Sequence, residues 1–273
     1  MRAQGIALCC VVLCLLLVAP PAGADLVGPV KWSQLPEMGQ YGYNWSSETT
    51  VGSMVADDYL CVDPFAVIDL HWWGSYYMPG VLYPYPNSDN MPDPTIDDDL
   101  PPGILQGFNI EFYKDVPAGE DPLMPWSHPG ALLYEEFIDI TEVAEAYYGT
   151  VVHIGGIEEN VWQYNADLPV PFRQGDYPDP QDIDGDGIDD GTVFWLKIQA
   201  VHDDPVIQWG WHEADLDELW HDNAVQHWPP SSSSPYWKLV EDKDMAFELS
   251  IVPEPSLLLA GLFGLLALLK RRR

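Results

Sequence analysis

Basic residues are scarce in this chain. It holds 11 lysines and arginines against 43 aspartates and glutamates in 273 residues, a formal charge of −32. Nucleic acid is excluded as a partner, because a phosphate backbone needs clustered Lys and Arg. Cysteine is also rare, with four in all: Cys9, Cys10, Cys14 and Cys61. There is no Gly-x-Ser-x-Gly elbow and no phosphate-binding glycine loop. Ser127 beside His128 makes no triad by adjacency. Nor can a pair of glycosidase carboxylates be picked from so many acids. Aromatic residues, by contrast, are plentiful. The 12 Trp and 14 Tyr are far too many for a solvated acidic tail, so the chain folds.

The two ends differ from what lies between them. Arg2, an apolar run over residues 6–18 and the small-residue site Ala22-Gly23-Ala24 read as a secretory signal peptide over residues 1–24. Signal peptidase would leave a mature chain starting at Asp25. At the other end, Val252-Pro253-Glu254-Pro255 precedes an apolar run over residues 256–269 and then Lys270-Arg271-Arg272-Arg273. That run makes a helix of roughly 21 Å, short of the roughly 30 Å of a bilayer core. Local thinning and snorkelling basic side chains would make up the difference. The basic cluster stays on the cytoplasmic side. The prolines keep the preceding segment extended, so the helix begins sharply after them. A plain C-terminal anchor is one reading of these residues. In order and spacing they resemble the PEP-CTERM sorting signal of exported bacterial proteins. The resemblance implies a short transmembrane helix within residues 252–273, held transiently in the inner membrane. It also implies cutting near the Pro-Glu-Pro block by an exosortase-type enzyme and delivery of the body to the cell surface or beyond.

Losing both ends changes the body's character. Five of the 11 basic residues and one of the 43 acids go with them, leaving six and 42, a net of −36. Such a body is soluble, attracts cations and avoids anionic surfaces. Cys61 alone remains, so no internal disulfide forms despite an oxidising destination. Its apolar strand context makes it a small buried hydrophobe. The intervening residues 25–251 suit one large exported domain.

Within that domain the dominant pattern has period two. Residues 54–61 and 67–73 read as strands, with Ile68, Leu70 and Trp72 on one face and Asp69 and His71 on the other. Phe108, Ile110 and Phe112 alternate with Asn109, Glu111 and Tyr113. Phe194, Leu196, Ile198 and Ala200 share a face, as do Met245, Phe247, Leu249 and Ile251. Further short strands are predicted over 131–140, 151–154, 161–168 and 206–211. Residues 25–50 read as an irregular arm, 78–103 as a long acidic loop and 117–130 as a second loop. One or two helical turns over 141–148, capped by Asp139, and a short helix over 214–224 complete the reading. About nine strands with almost no helix predict an all-β fold. The arrangement expected is a β-sandwich, of which a jelly roll is one form, with long acidic loops and a short C-terminal hydrophobic helix.

The segments Ala56-Asp57-Asp58-Tyr59-Leu60-Cys61, residues 69–75, Ser127-His128-Pro129-Gly130, Trp162-Gln163-Tyr164-Asn165 and Thr192-Val193-Phe194-Trp195-Leu196 resemble, in order, a bacterial family of uncharacterised exported domains. The resemblance implies a shared β fold and a surface setting, and no activity.

One stretch carries chemistry directly. Asp182, Asp184 and Asp186 stand at positions 1, 3 and 5 of a Ca²⁺ loop, Gly187 at 6, the Ile188 carbonyl at 7 and Asp190 at 9. The pattern is similar to the calcium loops of dockerins and thrombospondin type 3 repeats. It departs from them at position 12, which is Val193 rather than Glu. Asp189 or a distant acid would have to complete the shell. A structural Ca²⁺ pinning the loop between two strands is expected, against an acidic turn that stays wet. His212, His221 and His227 have no zinc spacing. Trp209, Trp211 and Trp220 are candidate stacking platforms for sugar rings, although packing in the core is their simpler use. The expectation is a non-catalytic structural or adhesive module of the cell surface or extracellular matrix. The alternative is a carbohydrate-binding module or weak glycan hydrolase acting on extracellular polysaccharide.

Overall fold

The computed structural model describes residues 28–77, 103–154, 156, 158–204, 206–215, 222–228 and 236–251. The expected signal peptide, the expected acidic loop at 78–103 apart from its last residue, the segments at 216–221 and 229–235 and the expected sorting tail lie outside them. Among the described residues no helix is long and apolar enough to cross a membrane.

The chain is all-β. Its strands are β1 (Val30–Gln34), β2 (Asn44–Ser46), β3 (Met54–Cys61), β4 (Val67–Tyr77), β5 (Gly107–Val116), β6 (His128–Asp139) and β7 (Ala144–Val152). They continue with β8 (Glu158–Phe172), β9 (Pro180–Gln181), β10 (Gly191–Val201), β11 (Gln208–His212), β12 (Val225–His227), β13 (Lys238–Leu239) and β14 (Phe247–Ile251). They form two seven-stranded sheets packed face to face as a sandwich.

In the first sheet the long β4 is the spine. One edge pairs antiparallel with β14 (Phe247 opposite Trp72) and, farther along, with β11 (Trp211 opposite Gly74). The other edge pairs with β8, and β7 pairs β8 beyond it. β1 flanks β14 and β2 flanks β11. The second sheet runs β13-β12-β3-β10-β5-β6, with β9 beside the start of β10.

The alternating faces read from the sequence meet between the sheets. Phe108, Ile110 and Phe112 of β5, Phe194, Leu196 and Ile198 of β10, and Phe247 and Leu249 of β14 are all buried there. Phe108 is a hub, edge-on to Trp72 at 4.9 Å, Tyr164 at 5.1 Å and Trp209 at 5.2 Å. Such pairs contribute about 0.5–1.5 kcal/mol each beyond area burial. Gly74 makes the packing possible. A Cβ there would meet Cζ2 of Trp209 at 2.3 Å, so any larger residue would push that ring out of place.

Three local expectations are corrected. The arm at 25–50 contains two sheet strands, β1 and β2, too short to show a period. The helical turns at 141–148 shrink to one 3-10 turn, Ile140–Glu142, capped by Asp139 as expected, because the chain then enters β7. Three residues of the Ser-His-Pro-Gly loop are strand, since β6 begins at His128. Cys61 is free and buried, its thiol on the Asp63 carbonyl, and burial pushes its ionisation up.

Candidate functional site

A pocket of about 520 Å³ opens where β2, β4, β8 and β11 of the first sheet meet β12 of the second. Its lining includes Tyr43, Asn44, Trp45, Ser75, His153, Glu159, Gln208, Gln226 and Trp228. The floor is Glu159, only 8% exposed. Asn44 Nδ2 and Ser75 Oγ both donate to its Oε1, and His153 Nε2 lies 2.7 Å from its Oε2. The hydrogen bond to Glu159 raises the His153 pKa above the ordinary imidazole value, with burial working against it. When His153 is protonated, its charge faces the Glu159 carboxylate directly.

The walls are aromatic and rigidly held. Tyr43 stacks on the His153 ring, centroids 4.9 Å apart and planes 13° from parallel. Trp45 donates its indole N–H to Glu213 at 2.7 Å, and Lys243 holds the same carboxylate at 2.6 Å. Gln226 Nε2 donates to the Ser46 carbonyl at 3.1 Å, tying the two sheets together at the pocket. Tyr43 and Trp228 are 45% and 42% exposed, and these faces meet solvent. Behind Asn44 sits His212, fully buried and 2.8 Å from the Glu37 carbonyl. Burial holds its pKa below the usual value.

Among the described lining residues, Ser75 and His153 each contact Glu159 rather than one another. Glu159 is the single acid among them, whereas glycoside hydrolysis uses two flanking carboxylates.

The aspartate loop is a hairpin joining β9 to β10. Asp182 accepts from the backbone N–H of Gly185 and Gly187, both at 2.9 Å, and Asp190 accepts from Ile183 and Asp184. Gly185 and Gly187 take positive φ of 77° and 87°, which the tight coil requires. Carboxylate oxygens of Asp182, Asp184 and Asp190 lie within 4.8 Å of one another. Asp186 is turned aside to accept from Ile188 N at 2.8 Å, and the Ile188 side chain is exposed. Three converging carboxylates fit a hard cation.

Trp209 and Trp211 are fully buried. Trp209 donates its indole N–H to Tyr164 Oη and Trp211 to the Ala246 carbonyl, and both rings pack in the core. Trp220 lies outside the described residues, as does His221. His212 and His227 belong to strands of different sheets. Ser127 donates to Asp115 at 2.7 Å, and His128 Nδ1 lies 2.9 Å from the Trp126 carbonyl, so the two side chains have separate structural uses.

Of the residues singled out in the sequence, Trp209 stands in the pocket lining with its side chain buried, and the rest of the pocket was missed. Glu159 carries no local mark among 42 acids, and His153 follows the last residue of β7. Tyr43-Asn44-Trp45 falls in the stretch read as an irregular arm.

Fold and site together define a two-sheet antiparallel sandwich with one aromatic side pocket and an acidic hairpin. The chain belongs to a family described as a domain of unknown function, DUF7901, whose profile matches residues 30–250. Neither the curated proteins nor the solved structures give a match to it.

Proposed function

We propose that this chain is an exported β-sandwich that works at the cell surface or in the extracellular matrix as a structural or adhesive module. In this reading the PEP-CTERM-like tail sorts it and the body is non-catalytic. The observation that carries the reading is the division between body and tail. The family match stops at residue 250, and β14 ends at Ile251, one residue before Val252. Cutting near Pro253-Glu254-Pro255 would therefore remove the hydrophobic and tetrabasic residues without touching any strand of the described residues. The same holds at the other end, where β1 starts at Val30, after the Ala22-Gly23-Ala24 site.

Mass spectrometry of the protein recovered from producing cells tests this. The expected product begins at Asp25 and lacks Arg271, Arg272 and Arg273. An intact tail on surface protein would make it an ordinary tethered one, and a full-length cytoplasmic chain would overturn export.

The hairpin at 182–190 serves, in the same proposal, as a structural Ca²⁺ site. Asp182, Asp184 and Asp190 supply carboxylates, and the Ile188 carbonyl and Asp186 stand next in the loop. When bound, the ion would lock β9 against β10. A carbohydrate-binding role is the second reading. The aromatic pocket favours it: Trp209 stands in its lining, although its side chain is buried, while Trp211 lies in the core outside it.

A further inference from the structure

We propose that the Glu159 pocket binds one ring of a neutral glycan and discriminates against acidic sugars. The inference rests on the adhesive reading and supplies its ligand class. A sugar ring presents apolar C–H faces and a rim of hydroxyls, and the pocket offers a counterpart to each. Tyr43 and Trp228 give exposed aromatic faces at the mouth, and Tyr43 is fixed by its stack on His153. Ordering the Tyr43 ring has little entropic cost on binding, because that stack already holds it. Glu159 is a buried acceptor with its position set by Asn44, Ser75 and His153. Side-chain amides of Gln208 and Gln226 stand in the same lining and can donate to or accept from a hydroxyl. The volume of about 520 Å³ lies within the range of small-molecule pockets, about 300–1,000 Å³.

Selectivity follows from charge. Among the described residues no lysine or arginine lines the pocket, and His153 there is paired with Glu159. A uronate or sulfate would lose its hydration without gaining a partner. It would also approach a body of net charge −36. An uncharged ring meets neither penalty.

The test uses the full chain in mild detergent, with soluble neutral glucans, galactans and mannans set against alginate and polygalacturonate. Binding is read by affinity electrophoresis and by tryptophan fluorescence. We expect at least one neutral glycan to retard the protein and both acidic ones to leave it unmoved at 150 mM salt. Trp228→Ala and Tyr43→Ala should each weaken retention tenfold or more. Glu159→Gln should weaken it similarly, with its melting temperature measured alongside because that residue also ties β2 to β8. Tyr147→Ala, on an exposed ring of β7 outside the pocket lining, should change nothing. Silence towards every neutral glycan, retention that survives both aromatic substitutions, or preference for an acidic polymer would each overturn the proposal. Such a failure in a correctly trimmed surface protein would leave the export reading standing. Glycan binding by an untrimmed cytoplasmic chain would do the reverse.

Discussion

Two stretches of this molecule are dense in aspartate, and they treat it in opposite ways. In the hairpin at 182–190 the carboxylates are at the surface and accept from backbone N–H groups of their own loop. In β3, Asp57 and Asp58 are buried to within 1%. Asp57 faces inward, where Oδ2 accepts from Met245 N at 2.7 Å and Oδ1 has no hydrogen bond. Asp58, opposite Trp195 on the other face, has no hydrogen bond to either oxygen. Other buried acids are answered: Glu48 meets His202 at 2.6 Å, and Glu111 meets Lys197. A charge costs little where water or an N–H can reach it and a great deal where neither can. The hairpin is thus free to attract a cation, while β3 keeps its acids by keeping them protonated. Desolvation, then the neighbouring carboxylates, push the Asp58 pKa well above the usual value; Asp57 moves the same way, desolvation first and Asp244 second.

The largest effect expected from this contrast is at Asp58. Its folded pKa is raised, so the native state holds a proton that the unfolded chain releases near pH 4. The stability this contributes is fully present below about pH 4 and is lost as pH rises through the folded pKa. Asp58→Asn, which cannot ionise, should match the parent at pH 4 and exceed it by about 3 kcal/mol at pH 8, the scale of an uncompensated buried charge. Denaturant melts across that range measure the gap. A gap that stays constant with pH would show that Asp58 is not held protonated. Asp57→Asn should widen in the same direction but less, because the Met245 N–H already favours the charged form.

The middle of the second sheet could be read from the chain because β3 carries Val55 and Tyr59 on its inward face, and β5 and β10 each carry a full face of alternating large side chains. The expected bounds of the first are those observed. β2 and β12 were hidden because three residues cannot display a period, and their place is set by partners in distant sequence: β11 for one and β3 for the other. The hairpin was legible as a loop because its donors and acceptors are consecutive. The pocket was not, because its residues come from six separate segments. Nothing in Ala56-Asp57-Asp58 marked burial; that the face carrying Ala56 is covered by Trp195, Val225 and Trp237 is a tertiary fact.

A smaller effect should come from calcium. At a free concentration ten times the Kd, a site that exists only in the folded state adds about 1.4 kcal/mol. Loops of this extracellular kind bind at roughly 10⁻⁴ to 10⁻³ M, so about 5 mM Ca²⁺ should raise the melting temperature. Calorimetry should show one heat per chain. Asp184→Ala should abolish both, as it removes a converging carboxylate. A chain that takes up no heat and gains no stability would leave the hairpin as a solvated turn.

The smallest effect separates the loop's geometry from its charge. Asp186 is exposed and lies outside the converging trio, yet it accepts from Ile188 N. Without calcium, Asp186→Asn keeps an acceptor there, and the change should stay within about 0.5 kcal/mol, as for ordinary surface positions. With calcium, two outcomes diverge. If Asp186 swings in to ligate at position 5, Asp186→Asn weakens binding several-fold, because a neutral amide oxygen is a poorer ligand for a hard cation than a carboxylate. If Asp182, Asp184 and Asp190 alone face the ion, the affinity stays put. The second outcome would mean that the hairpin's rigidity, set by Gly185 and Gly187, decides which acids reach the metal.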